Sequence, residues 1–320
     1  MTRVAERGNF SERGSVNVGT VKKYNTIVSK LETFQKFKQK QYYVKDIDVS
    51  FRHEFLTFLM KQERLSSNTA GRYIKFVKTI ALDARKNGIE VSPMLDDIKG
   101  YTVRSPKVTL SFDELNEIKR ILPLDEKLQA ARDWLVISCF VGQRVGDLFT
   151  MHRKMISVVE GFRLLTIEQQ KTRKVVEIPL HEEVEEILKK YDGNFPPVFL
   201  AEPESNKAVY NKYVKEVCRL AGLTEITRGN LLNPDTGRYE SGDYEKFKLV
   251  SSHIGRRSFA TNFYGEEDYP TPLLMSVTGH GTEKMFLEYI GKKPGQYALT
   301  LAKIWKRKKI ETERQFEISA

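Results

Sequence analysis

The chain has 320 residues, 40% of them hydrophobic, with 53 Lys and Arg against 42 Asp and Glu and a formal net charge of +11. That length is enough for two domains with cores of their own, and the basic balance favours a polyanionic partner. Two cysteines far apart, Cys139 and Cys218, exclude a disulfide framework or a cysteine zinc cluster, and no apolar run of about 18 residues or signal peptide argues for a membrane or an export route.

Residues 1–16 are polar and contain two Arg-Gly steps, which predicts a disordered start. The stretch 17–98 reads as a helical domain. Val21, Tyr24, Ile27, Val28, Leu31 and Phe34 recur at helical spacing. Ser50 is placed to cap a second helix carrying Phe51, Phe55, Leu56 and Leu59. Ser67 is placed to cap a third that runs to Asn87 and stops at Gly88. On that third helix Tyr73, Ile74, Val77, Ile80, Ala81 and Ala84 make a buried stripe. Arg72, Lys75, Lys78 and Arg85 lie elsewhere on it. They form either a solvated face or a row of contacts to DNA phosphates. Pro93, Gly100 and Pro106 interrupt any periodicity over 92–108, so 99–108 is read as a linker.

A second domain is expected over 109–302. It opens on the capping box Ser111-Phe112-Asp113-Glu114, and an apolar helix through Trp134 and Phe140 breaks at Gly142. Three antiparallel strands follow: Met155–Val159, Phe162–Ile167 and Val175–Leu180, the last two joined by a turn holding Lys171 and Lys174. Helices resume at about His181–Tyr191 and Ser205–Ala221. Asn233-Pro234-Asp235-Thr236-Gly237 signals a turn in an irregular or hairpin segment, and Thr271-Pro272 and Thr282 start two short helices. Residues 303–320 read as a basic C-terminal tail. The fold class is thus mainly α with a small antiparallel β-sheet, in two domains.

Four groups stand out in the second domain: Arg144, His253-Ile254-Gly255-Arg256, Gly279-His280 and Tyr289. Guanidinium planes hold the non-bridging oxygens of a phosphodiester, imidazoles move protons, and a phenol can attack phosphorus. Taken singly, a tyrosine beside Phe286 and Ile290 is most often core. Taken together, the set points to metal-free DNA strand transfer.

These residues resemble the tyrosine recombinase, or phage integrase, family. The likeness spans about residues 15–300. It rests on Gly142-Gln143-Arg144-Val145-Gly146-Asp147-Leu148, on Lys171 ahead of Ile178-Pro179-Leu180, and on His253-x-x-Arg256. Gly279-His280 follows, its histidine 24 residues after Arg256, and Tyr289 comes nine after that. The resemblance implies a SAM-like core-binding domain and a catalytic domain that close on DNA. Tyr289 would be the nucleophile, Arg144 and Arg256 would grip the non-bridging oxygens, and His280 would donate to the same oxygens. His253 would take the phenol proton and Lys171 would protonate the leaving 5′-oxygen, with Lys174 its rival in the turn. Asp147 would orient Arg144 or the neighbouring helix. No cofactor or metal is implied.

The implied partner is double-stranded DNA, met by a monomer in free solution that assembles as a homotetramer on paired sites. Accessory DNA-bending or directionality factors, a nucleoid-associated cytoplasmic location and trans docking of the tail complete the expectation. Two rivals stand beside it: type IB topoisomerase-like relaxation, and a non-catalytic DNA-binding regulator on the same fold, for which a complete catalytic set has no use.

Overall fold

The computed structural model describes residues 18–103, 105–122, 125–266, 268–292 and 294–319. The expected disordered start lies outside them. The chain forms two compact units. One gathers the described residues up to 103 with residues 232–239, and the other gathers 105–231 with those from 240 onward.

The first unit holds α1 (Val18–Lys38), α2 (Val49–Thr57), which runs on as a π turn over Phe58–Gln62, and α3 (Ser67–Lys86). Its core is aromatic: the Phe34 ring lies 5.1 to 5.8 Å from those of Phe51, Phe55 and Phe58. Helix starts fall one or two residues before those expected. Asp48, with extended backbone, caps α2 by accepting from the Phe51 amide at 2.7 Å, so Ser50 already lies inside the helix. Ser66 likewise precedes Ser67 as the cap of α3. The cap is set by which residue stays extended while its side chain reaches the third amide, and an aspartate in range takes the position. Gly88, at φ +76°, ends α3 as read.

Much of the stretch expected to be linker is fastened to this unit. Asn68 brackets Val103, donating to its carbonyl at 2.9 Å and accepting from its amide at 2.6 Å. Arg52 donates to the Lys99 carbonyl. A methyl on Gly71 would stand 2.5 Å from the Tyr101 carbonyl oxygen, so the strap lies directly on α3. At the hairpin tip of this unit, Arg238 donates to the Glu63 carbonyl at 2.8 Å.

In the second unit α4 (Phe112–Arg120) begins with the capping box as read: Glu114 N donates to Ser111 Oγ and Ser111 N to the Glu114 carboxylate. The central helix is α5 (Glu126–Val141). Trp134, Leu135, Val136 and Ile137 are all buried in succession, a run that suits only a helix covered on every side. After α6 (Val145–Leu148) come β1 (Ile156–Val159), β2 (Phe162–Glu168) and β3 (Val175–Pro179), antiparallel in that order. Leu165, Ile167, Val176 and Ile178 face the core.

The chain continues through α7 (Glu182–Lys190) and α8 (Pro203–Leu220). The segment left open as irregular or hairpin is a two-stranded sheet, β4 (Ile226–Asn233) with β5 (Arg238–Glu245). Then come α9 (Lys246–Leu249), α10 (Ile254–Phe263), α11 (Thr271–Thr278), α12 (Glu283–Leu287) and α13 (Pro294–Ser319). The expected basic tail from 303 is the continuation of α13, because Lys, Arg, Glu and Leu all hold helix well. A mainly helical chain with small antiparallel sheets is what the patterning predicted.

Candidate active site

Two glycines bring the site together. Gly142 ends α5 in the left-handed region, at φ +63°, and a methyl there would stand 2.7 Å from the Phe259 ring of α10. Gly255 opens α10 against α5, where a methyl would meet Ser138 Oγ at 1.9 Å and its backbone carbon at 2.8 Å. The two helices can approach this closely only without side chains at those points. The result is that Arg256, the next residue, reaches the end of α5.

Arg256 is 1% exposed. Its Nη1 donates to the Gly142 carbonyl at 2.9 Å and its Nη2 to the Thr278 carbonyl at 2.6 Å. Nη2 also lies 3.2 Å from His280 Nε2, and Nε has no protein partner. Among the described residues no carboxylate forms an ion pair with it. Burial and then the neighbouring Arg144 pull its pKa below the arginine range, while the Tyr289 phenol and Asp147 work the other way. Arginine nonetheless stays a cation. A buried guanidinium held by neutral carbonyls keeps its charge for an incoming anion.

His280, 7% exposed, follows Gly279, which caps α11 at φ +70°. Thr278 Oγ1 donates to the Leu274 carbonyl at 2.8 Å and lies 2.8 Å from His280 Nδ1. Since arginine can only donate, Nε2 must accept from Arg256, and Nδ1–H donates to the threonine oxygen. The resting ring is therefore neutral. Burial, followed by Arg256, Arg144 and Lys174, lowers its pKa from 6.5 to about 4. Unfolded chains take up this proton below pH 6.5, whereas the folded protein resists until about pH 4. The stability tied to the neutral ring is thus fully present above pH 6.5 and lost as pH falls towards 4. Unfolding in urea at pH 7 and pH 4.5 should show a drop of roughly 2 kcal/mol from this group. His280→Asn should flatten that difference; an unchanged pH slope would refute the assignment.

The remaining site candidates divide. Arg144, half-buried, donates from Nη1 to Gln169 Oε1 at 3.2 Å. The Tyr289 ring lies 5.4 Å from Arg256 Cζ and 4.8 Å from the His280 ring. His253, at the start of α10, has an exposed surface, yet partial desolvation of its ring lowers its pKa first, followed by Arg257, Lys207, Arg256 and Arg144. It is thereby kept neutral and able to take a proton. The Lys174 ammonium reaches to 3.6 Å from the position a Gly281 methyl would fill, and its charge bears on His280. Lys171 is exposed on the same turn. Asp147, 2% exposed, accepts from the Gln170 amide at 2.8 Å, tying the lysine turn to α6. The structure thus brings Arg144, Arg256, His253, His280, Tyr289 and Lys174 together.

The basic residues nominated on α3 have partners inside their own unit. Lys75 donates to Thr102 Oγ1, Lys78 to the Asp96 carbonyl, and Arg85 pairs with the Asp96 carboxylate at 2.9 Å. Arg72 is exposed. Two residues that no sequence motif singles out, Gln169 and Thr278, are fully buried in the hydrogen-bond network that joins Arg144, Arg256 and His280.

The profile of the phage integrase SAM-like domain matches residues 5–100. A search of curated proteins gave no match. Among solved structures, a lambda integrase dimer bound to a COC′ core site has a TM-score of 0.63 at 18% identity, covering 92% of this chain and 94% of that one. The Tn1549 transposon integrase in complex with transposon right end DNA gives 0.63 at 17% identity, covering 95% and 98%. The XerH site-specific recombinase bound to palindromic difH substrate gives 0.62 at 18%, covering 95% and 83%. The likeness runs through both units, as the order of motifs implied. This chain carries a phage integrase SAM-like domain and has the fold of the tyrosine recombinases.

Proposed function

We propose that this protein is a site-specific DNA recombinase, an integrase that cuts and rejoins duplex DNA through a 3′-phosphotyrosine intermediate. The observation that carries this reading is the cluster itself: two guanidinium groups, two imidazoles whose pKa values are lowered and a phenol, with the buried Arg256 in contact with no carboxylate among the described residues.

The Tyr289 oxygen attacks the scissile phosphorus and the 5′-oxygen leaves. One phosphodiester is exchanged for another, so rejoining needs no ATP. His253 takes the phenolic proton, and a turn lysine, Lys171 by the motif register, gives one to the 5′-oxygen. Arg144 and Arg256 hold the non-bridging oxygens as charge builds on them. His280 can add a donor only after its proton moves to Nε2 or the arriving phosphate recruits a second one. Its present Nδ1–H form accepts at that edge. No metal enters the scheme.

The experiment is covalent trapping. The protein is incubated in EDTA with a nicked duplex carrying the site it selects from a random pool, and any adduct is digested and mapped. A phosphotyrosyl peptide containing Tyr289 is expected. Cutting that needs a divalent cation and leaves no adduct would defeat the reading. Relaxation of any supercoiled plasmid without pairing of sites would replace it with a topoisomerase.

Strand exchange requires paired sites, so the working assembly is a homotetramer of chains that are monomeric off DNA. Leu299, Leu301 and Trp305 leave α13 with an exposed apolar surface among lysines and arginines, which suits docking on a second copy. Deleting residues 311–320 should then lower recombination several-fold more than single-strand cleavage; equal losses would count against it. A location on the nucleoid in the cytoplasm, with accessory DNA-bending or directionality factors, completes the proposal. Among the described residues no helix is long and apolar enough to cross a membrane.

A further inference from the structure

Gln169 is the most connected polar side chain beside the proposed active site. It stands just past β2, one step beyond Leu165 and Ile167 on the inward face, and is fully buried. Its Oε1 accepts from Arg144 Nη1 at 3.2 Å and from Thr172 Oγ1 at 2.7 Å. Its Nε2 donates to Gln143 Oε1 at 2.8 Å and to the Thr278 carbonyl at 3.1 Å. Both hydrogens and both lone pairs are used.

The orientation of the amide is forced. Gln143 Nε2 is committed to the Val141 and Val277 carbonyls at 2.9 and 2.7 Å, so its oxygen must face Gln169. A flipped Gln169 would set an amino group against the Arg144 guanidinium and an oxygen against two oxygens. Space is reserved for it as well: a methyl on Gly279 would stand 2.4 Å from Gln169 Oε1 and 2.8 Å from Nε2. The same residue anchors the lysine turn, because its amide donates to the Lys174 carbonyl and its carbonyl accepts from the Arg173 amide, both at 2.8 Å.

We propose that Gln169 is a positioning residue that sets the Arg144 guanidinium, the lysine turn and, through the shared Thr278 carbonyl, the Arg256 guanidinium in one fixed relation. A neutral amide suits this task better than a carboxylate. An aspartate or glutamate here would pair with Arg144 and compete with the phosphate for its charge, whereas the amide oxygen orients the group and leaves the charge intact.

The inference rests on the recombinase reading, and the test separates the two. Single-turnover adduct formation is measured for the wild type, Gln169→Met, Arg144→Lys and the double variant on one nicked duplex, with DNA affinity and Tm for each. Gln169→Met should react about 10- to 100-fold more slowly, as expected when reacting groups lose their register, with affinity unchanged within about twofold. In the Arg144→Lys background the same change should slow the reaction at least about threefold less than in the wild type, since one of the groups it places is already altered. Equal losses in both backgrounds, or none in the first, would overturn the inference. Should the methionine variant be unfolded at the assay temperature, Gln169→Asn, which keeps an amide but withdraws it by one methylene, carries the same cycle with the same two outcomes. A wild type that forms no adduct sinks the recombinase reading and this inference with it.

Discussion

Tyr289→Phe should leave duplex binding within about twofold and Tm within a few degrees of wild type, yet lower covalent adduct formation by a factor on the order of 10⁴ or more. The asymmetry follows from the contacts. What the ring gives the folded protein is its packing against His280 and its place over the Arg256 guanidinium. A phenyl group keeps both. Only the hydroxyl oxygen is lost, and no other phenol among the described residues stacks on that histidine. Adduct formed at wild-type rate by the phenylalanine variant would show that another residue attacks. Loss of DNA binding with the adduct would show instead that the hydroxyl serves binding rather than attack.

Arg256→Ala should slow cleavage about 10²- to 10³-fold, the usual loss for one preorganised donor. It should also destabilise the protein, which separates it from the tyrosine variant. The guanidinium donates to the Gly142 and Thr278 carbonyls, and only the second keeps another donor, Gln169 Nε2. Stranding the Gly142 carbonyl costs on the order of 1–3 kcal/mol. Arg256→Lys keeps a charge but cannot span both carbonyls and an anion at once, so it should recover part of the stability and little of the rate. Denaturant midpoints alongside single-turnover cleavage check the pair of effects. Full activity in the alanine variant would remove the cationic pocket from the mechanism.

The extent to which this was visible in advance depends on how local each signal is. The capping box at Ser111, the helix stop at Gly142 and the strand alternation of Leu165 and Ile167 are set by neighbours in sequence, and they stand where the pattern puts them. The caps of α2 and α3 were misplaced by one or two residues because several capping residues lie side by side, and only backbone conformation chooses among them.

The buried amide pair escaped notice for a different reason. Gln169 and Gln143 look like loop polarity, and their long-range partners lie 25 to 134 residues away. One clue was present: continuing the two-residue alternation of β2 by one step puts position 169 on the inward face. The charges on α3 likewise have partners that the helix pattern does not show: Asp96, beyond the helix end, engages both Lys78 and Arg85.

An arginine clamped by neutral carbonyls also bears on how the protein tolerates heat. Natural proteins commonly give up some intrinsic stability where function demands it, and a cation buried without a contacting carboxylate is such a concession. Any species that supplies the missing negative charge should raise the melting temperature as it binds. Sulfate, a short oligonucleotide and a cognate duplex should do so in ascending order, making thermal shift a way to rank ligands before a target sequence is known.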